Sequence, residues 1–191
     1  MNREIIYFER AGAQNTAAVA EIVGRRVREL GIEHVVCASN TGATALALWE
    51  ALEGTGARLV AIPEHAGWKG GDACSLSAEG RRALEERGIE VLVCAHALSG
   101  VARSITNKFG GVSHVEIIAH TLRRLGEGVK VAVEVSVMAA DAWLVPTDRE
   151  IVAVGGTGGG ADVALVLQAA HMNNFFDLDI REVLCKPRGR G

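Results

Sequence analysis

Two hydrophobic periods alternate along this chain. Val19, Ile22, Val23, Val27 and Leu30 lie three to four residues apart, the spacing of one helical face. Asn15 and Thr16 stand ahead of them in N-cap position, and Gly31 follows as a stop. Apolar runs at 5–8, 34–38, 58–62, 90–94, 151–154, 163–167 and 180–186 have the length of strands. Helical patterns at 43–53, 78–87, 98–105 and 113–125 separate most of them. Strand and helix in alternation predict an α/β fold, a mostly parallel sheet with helices on both faces.

Residues 129–143 carry both periods. Val129-Lys130-Val131-Ala132-Val133-Glu134-Val135-Ser136-Val137 alternates strictly, as a strand does, but Met138 to Trp143 continues with helical character. A right-handed crossover helix is needed between the strand at 90–94 and the next parallel strand at 151–154. The whole segment is therefore expected to be one helix.

Composition narrows the class. A chain of 191 residues, 49% hydrophobic and 23% charged, without repeats or linker-like stretches, is expected to form a single domain over 1–191. Aromatics are only 4%, so the core must be aliphatic. A net charge of −3 without a long basic run argues against a nucleic-acid surface. The basic stretch Lys186-Pro187-Arg188-Gly189-Arg190 is expected to be a solvated tail. The N-terminus lacks an apolar signal core. Lys130, Glu134 and Asp141 break up the longest apolar run, 129–145, so no membrane span and a cytoplasmic location are expected. Cys37, Cys74, Cys94 and Cys185 show neither zinc nor disulfide spacing, and Cys37 and Cys94 are expected in buried strands.

The candidate chemistry lies in two loops. Ser39-Asn40-Thr41-Gly42-Ala43-Thr44 joins the strand at 34–38 to a helix start. Such a turn offers free amides, hydroxyls and the positive end of a helix dipole, which suits a phosphate; without a ligand it is a helix cap. Ser39, Asn40, Thr41, Gly42 and Thr44 are the candidate contacts. Gly155-Gly156-Thr157-Gly158-Gly159-Gly160 follows a second strand, where it is either a close approach to a ligand or a plain turn. Thr157, Gly158, Gly159, Gly160 and Asp162 are its candidates. Its late position, with no long helix after it, excludes a Rossmann dinucleotide site. His65, Gly67 and Trp68 follow the strand at 58–62, and His96 and Ser99 follow the strand at 90–94, on the same edge. Lys130, four residues before Glu134, is its expected partner, and Asp141 is expected to cap or neutralise a nearby loop. The histidines show no metal-ligand spacing, and neither a Walker lysine nor a G-x-S-x-G serine is present.

The order helix, strand–SNTGAT–helix, strand, helix, strand, helix, strand–GGTGGGAD–strand resembles the C-terminal domain of pyruvate kinase. A more extensive resemblance is to small stand-alone proteins, mainly archaeal and bacterial, of the pyruvate kinase α/β-domain-like type. It is carried by YFERAGAQNT (7–16), ASNTGATAL (38–46), HAGW (65–68), AHALSG (95–100), GVKVAVEVSVMAADAWLVP (128–146) and GGTGGGADVALVL (155–167). Ala11 stands where a proline is expected and Trp143 where a glycine is expected, adding bulk beside the site. The resemblance implies a three-layer α/β/α fold with sheet order 3-2-1-4-5 and the last strand antiparallel. Both loops would then meet at a topological switch point. It also implies bound flavin mononucleotide (FMN), with its phosphate at 39–44 and Trp68, Phe109 or Trp143 as ring contacts. Pyruvate kinase chemistry itself is not expected, because the catalytic (β/α)₈ barrel alone takes roughly 200 residues or more. The expected role is a binding protein for FMN or another phosphorylated metabolite. The alternatives are a flavin-dependent enzyme and a regulatory subunit of a separate catalytic chain; homo-oligomerisation is open in each case.

Overall fold

The computed structural model describes residues 3–68 and 70–189. Its strands are β1 (Ile6–Phe8), β2 (His34–Ala38), β3 (Arg58–Ile62), β4 (Glu90–Val91), β5 (Glu150–Gly155), β6 (Val163–Gln168) and β7 (Asp179–Pro187). They form one seven-stranded sheet in the order β1-β7-β6-β5-β2-β3-β4. The stretch β4-β3-β2-β5-β6 has the expected 3-2-1-4-5 order, with β6 antiparallel to β5. Beyond it, β7 pairs antiparallel to β6, and β1 parallel to β7. The sheet is thus wider by two strands than the 3-2-1-4-5 order that the resemblance implies, and both added strands fall on the apolar runs read at 5–8 and 180–186.

The helices are α1 (Thr16–Leu30), α2 (Ala43–Ala51), α3 (Ala78–Glu85), α4 (Gly100–Phe109), α5 (His114–Leu122) and α6 (Glu127–Asp141). Alternate strand residues serve opposite faces, as the two-residue period requires. Val35, Cys37, Leu59, Ala61, Val152 and Val154 pack with Val19, Val23 and Val27 of α1 and Leu48 of α2. Val36, Val60, Ile62, Ile151 and Ala153 pack on the other face with Val129, Val133, Met138 and Ala139 of α6. These are the three layers.

The segment with two periods is helical. Twelve of the fifteen residues of α6 are buried, so nearly its whole circumference is covered and an amphipathic pattern is not needed. Its buried polar residues are partnered: Lys130 pairs with Glu134, and the Ser136 hydroxyl donates to the Val133 carbonyl at 2.8 Å. α1 ends at Gly31 in the left-handed conformation (φ 65°), whose amide donates to the Val27 carbonyl. Asn15 holds the N-cap position but does not cap with its side chain. That amide donates instead to the carbonyls of Arg10 (2.8 Å) and Gly12 (3.1 Å), fixing the preceding turn.

Two expectations need correction. The strand at 90–94 pairs only as Glu90–Val91, and Cys94 lies beyond it, half-buried. After Leu92 donates to the Ala61 carbonyl (3.0 Å), the chain leaves the sheet edge toward His96. The basic stretch 186–190 is no solvated tail over its first residues. Lys186 and Pro187 belong to β7 opposite Tyr7 and Phe8, and the Arg188 amide donates to the Phe8 carbonyl at 2.9 Å. Arg190 lies outside the described residues. No described helix is long and apolar enough to cross a membrane.

Candidate functional site

β2 and β5 are parallel neighbours, and the loops that follow them leave the sheet on one edge. β2 runs on into α2 on one face, whereas α6 delivers the chain to β5 from the other. This is the switch point at which open α/β sheets leave a crevice. A cavity of about 850 Å³ opens there, within the size range of ligand pockets.

The loop after β2 forms one wall. The Ser39 hydroxyl is buried and accepts from the Ala45 amide at 3.2 Å, so it caps α2 from inside. Asn40 Oδ1 accepts from the Glu64 amide at 2.9 Å, tying this loop to the one after β3. Gly42, with φ 91°, sits at the N-cap position of α2. Thr41 and Thr44 line the cavity, and neither hydroxyl donates to another described residue. The Ala43 amide has only a long contact to Thr41 Oγ1 (3.5 Å). The start of α2 therefore faces the cavity with unused donors.

The loop after β5 forms the opposite wall. Its glycines have two separate reasons. A Cβ on Gly155 would lie 2.1 Å from the Gly128 carbonyl oxygen, and one on Gly160 would lie 2.5 Å from Ala13 Cα and Thr16 Oγ1. These positions let α6 approach the end of β5 and the start of α1 approach the loop that follows it. Gly158 (φ 70°) and Gly159 (φ 147°) have open space around them and line the cavity. They leave room for a ligand and adopt backbone angles that other residues resist.

A third wall comes from the layer of α4 to α6. Trp68, His65 and His96 form a ring cluster, with centroids 5.4 Å (His65–Trp68), 4.9 Å (His65–His96) and 5.1 Å (Trp68–His96) apart. The Arg103 guanidinium lies over Trp68, 5.0 Å from the ring centre, and its Nε donates to Ser99 Oγ at 3.0 Å. Lys130 and Glu134 line the cavity as a buried ion pair, and the second Glu134 oxygen accepts from the Leu98 amide at 2.9 Å. Burial lowers the His96 pKa from its ordinary value; the Glu134 carboxylate opposes this, and His65 and Lys130 reinforce it. Val131, Val135 and Met138 supply an apolar surface between these groups.

The expected site residues divide accordingly. Asn40, Thr41, Thr44, Trp68, Gly158, Gly159 and Gly160 meet in the one cavity. Ser39, Gly42 and Ser99 support it from behind, Ser99 by holding Arg103. His65 touches the cavity residues only through the ring cluster, and Gly67 is exposed in a turn whose amide donates to the Ala73 carbonyl at 3.1 Å. Thr157 lines a smaller cavity on the far side of the glycine loop. Asp162 is fully buried and takes the Gly12 amide on Oδ2 at 2.8 Å, anchoring the turn before α1. Of the expected ring contacts only Trp68 lines the cavity; Phe109 is 75% exposed and Trp143 93%. Trp143 therefore adds no bulk to the site. Arg103, Arg123, Glu127 and Lys130 line the cavity without having been singled out as ligand contacts. The spacing of four between Ser99 and Arg103 signalled their mutual contact but not the cavity that Arg103 lines. Asp141 caps as expected, taking the Met172 amide at 3.0 Å. Among the described residues no histidine, cysteine and carboxylate group is arranged to hold a metal ion.

The family model for the pyruvate kinase alpha/beta domain matches residues 17–167. Among solved structures the chain is similar to a pyruvate kinase from Cryptosporidium parvum, at 14% identity and TM-score 0.43, covering 81% of this chain and 23% of that one. A second structure of the Cryptosporidium parvum enzyme matches at 13% identity and TM-score 0.41, with 81% and 22% coverage. The same organism's enzyme in complex with ADP matches at 15% identity and TM-score 0.39, with 88% and 23% coverage. The chain spans less than a quarter of the length of these proteins.

Proposed function

The chain belongs to the pyruvate kinase alpha/beta domain family, and from that premise we propose that its cavity binds a phosphorylated small molecule, with FMN as the specific candidate. One observation carries the reading: the unused hydroxyls of Thr41 and Thr44 at the start of α2 share one cavity with the open glycines Gly158 and Gly159. A phosphate at the start of α2 would receive the Thr41 and Thr44 hydroxyls, the first-turn amides and the helix dipole.

The residues present fit the rest of FMN. Val131, Val135 and Met138 offer a flat ring an apolar wall, and Trp68 an aromatic one. Asn40 and Arg103 offer polar groups to the sugar alcohol or the ring edge. When bound, FMN would supply electron or hydride transfer at its ring. The chain's own part is to bind, orient and shield. Lys130 is committed to Glu134, and the reading assigns this chain ligand binding without phosphoryl transfer.

The test is the visible absorption spectrum of freshly purified protein, followed by mass spectrometry of what heat denaturation releases. Flavin bands and released FMN support the full reading, and another released phosphorylated compound supports its coarser part. A colourless protein that releases nothing and takes up no added FMN contradicts it.

A further inference from the structure

Thr157 is the one residue of the run 156–160 that does not line the main cavity. It faces a side cavity of about 320 Å³ together with His120, Arg123 and Arg124. Arg123 and Glu127 line both cavities, and Arg123 Nε donates to Glu127 Oε2 at 2.6 Å, so this ion pair is the partition between them.

The donors on the side-cavity face are unspent. Arg123 uses only Nε on Glu127. The Arg124 guanidinium, the His120 ring and the Thr157 hydroxyl have no partner among the described residues. Two arginines and a single carboxylate residue line this cavity, so it carries a positive excess. Planar guanidinium forks match tetrahedral and planar oxyanions in two-point contacts, and a threonine hydroxyl supplies a third donor.

We propose that this side cavity is a second anion site, taking a phosphoryl group on Arg123, Arg124, His120 and Thr157. It is separated from the main cavity by the Arg123–Glu127 pair and stands independently of the FMN reading. The glycine loop then serves two ligand groups, the main-cavity ligand at Gly158 and Gly159 and the phosphoryl group at Thr157.

The experiment is a titration of the ¹⁵N-labelled protein with inorganic phosphate at low ionic strength, followed at individual amide resonances. The expected result is saturable shifts at Thr157 and Gly126, abolished by combining Arg124→Ala with His120→Ala. Both side chains are exposed, so the variant keeps its fold, which its remaining amide spectrum checks. Arg124→Lys, which keeps the charge and loses the fork, is expected to bind with intermediate affinity. Absence of saturable shifts at Thr157 and Gly126, or shifts equal in the wild type and the Arg124/His120 variant, overturns the proposal. Shifts at Ala43 and Thr44 report the main cavity in the same spectra. Their absence, with those at Thr157 present, sinks the α2 phosphate reading and leaves this one standing.

Discussion

Trp143 has φ 62°, a left-handed conformation that non-glycine residues reach at a cost of roughly 1–2 kcal/mol. Its side chain is 93% exposed and recovers little by packing. That accounts for the glycine expected here from the family resemblance: the position is a backbone requirement, remote from ligand shape. Trp143→Gly is expected to raise stability, by less than about 1 kcal/mol once glycine's greater unfolded-state entropy is subtracted. A thermal melt should show a rise of about 2 °C, and a fall would contradict this account. His96 makes a pH prediction. Its ring binds protons less readily in the fold than in the unfolded chain, because burial lowers its pKa. The unfolded state therefore takes up more protons as the pH falls through the ordinary histidine range, and stability declines there. Urea melts between pH 7 and pH 5 should show this decline, and His96→Gln should reduce it, leaving the share of His34, whose pKa burial also lowers.

At the scale of elements, α6 and the glycine loop decide the geometry. Gly155→Ala would drive a methyl group into the Gly128 backbone and should cost roughly 3 kcal/mol in a chemical melt. Gly158→Ala, with open space around it, should cost only about 1 kcal/mol for its positive φ. Equal costs would mean that the close approach of α6 to β5 is not what Gly155 serves. Lys130→Met should destabilise by about 3 kcal/mol or more, because it leaves Glu134 buried without its cation. Adding Glu134→Gln should recover most of that loss while keeping an acceptor for the Leu98 amide. The helix was legible in the sequence from the helical character of Met138 to Trp143 together with topology, since a crossover was required where the period was ambiguous. Its orientation was not legible. Lys130 and Glu134 at a spacing of four read as a paired couple, but nothing local said that the pair faces a cavity. Arg103 and Arg123 were missed for the same reason. The direction in which a helix points its cations depends on packing against neighbours distant in sequence.

Over the whole molecule, the sheet order from β4 to β6 followed from strand and helix alternation combined with the resemblance, and it places the loops after β2 and β5 together. The outer strands were harder to read. β7 runs into the basic stretch because Lys186 and Pro187 pair with Tyr7 and Phe8, nearly the full chain length away. A charge run says nothing about such a partner. Asp162 looked like a ligand contact by its place after the glycines, yet the fold turns it inward to hold Gly12. The central claim is that the start of α2 binds the phosphate of a small molecule. It is tested most directly by titrating FMN into the protein and into Thr41→Ala/Thr44→Ala, with quenching of flavin fluorescence as the readout. The account predicts saturable binding by the wild type and a loss of about 3 kcal/mol or more in the double variant, over a hundredfold in affinity. No saturation in the wild type, or equal affinity in a folded double variant, would contradict it.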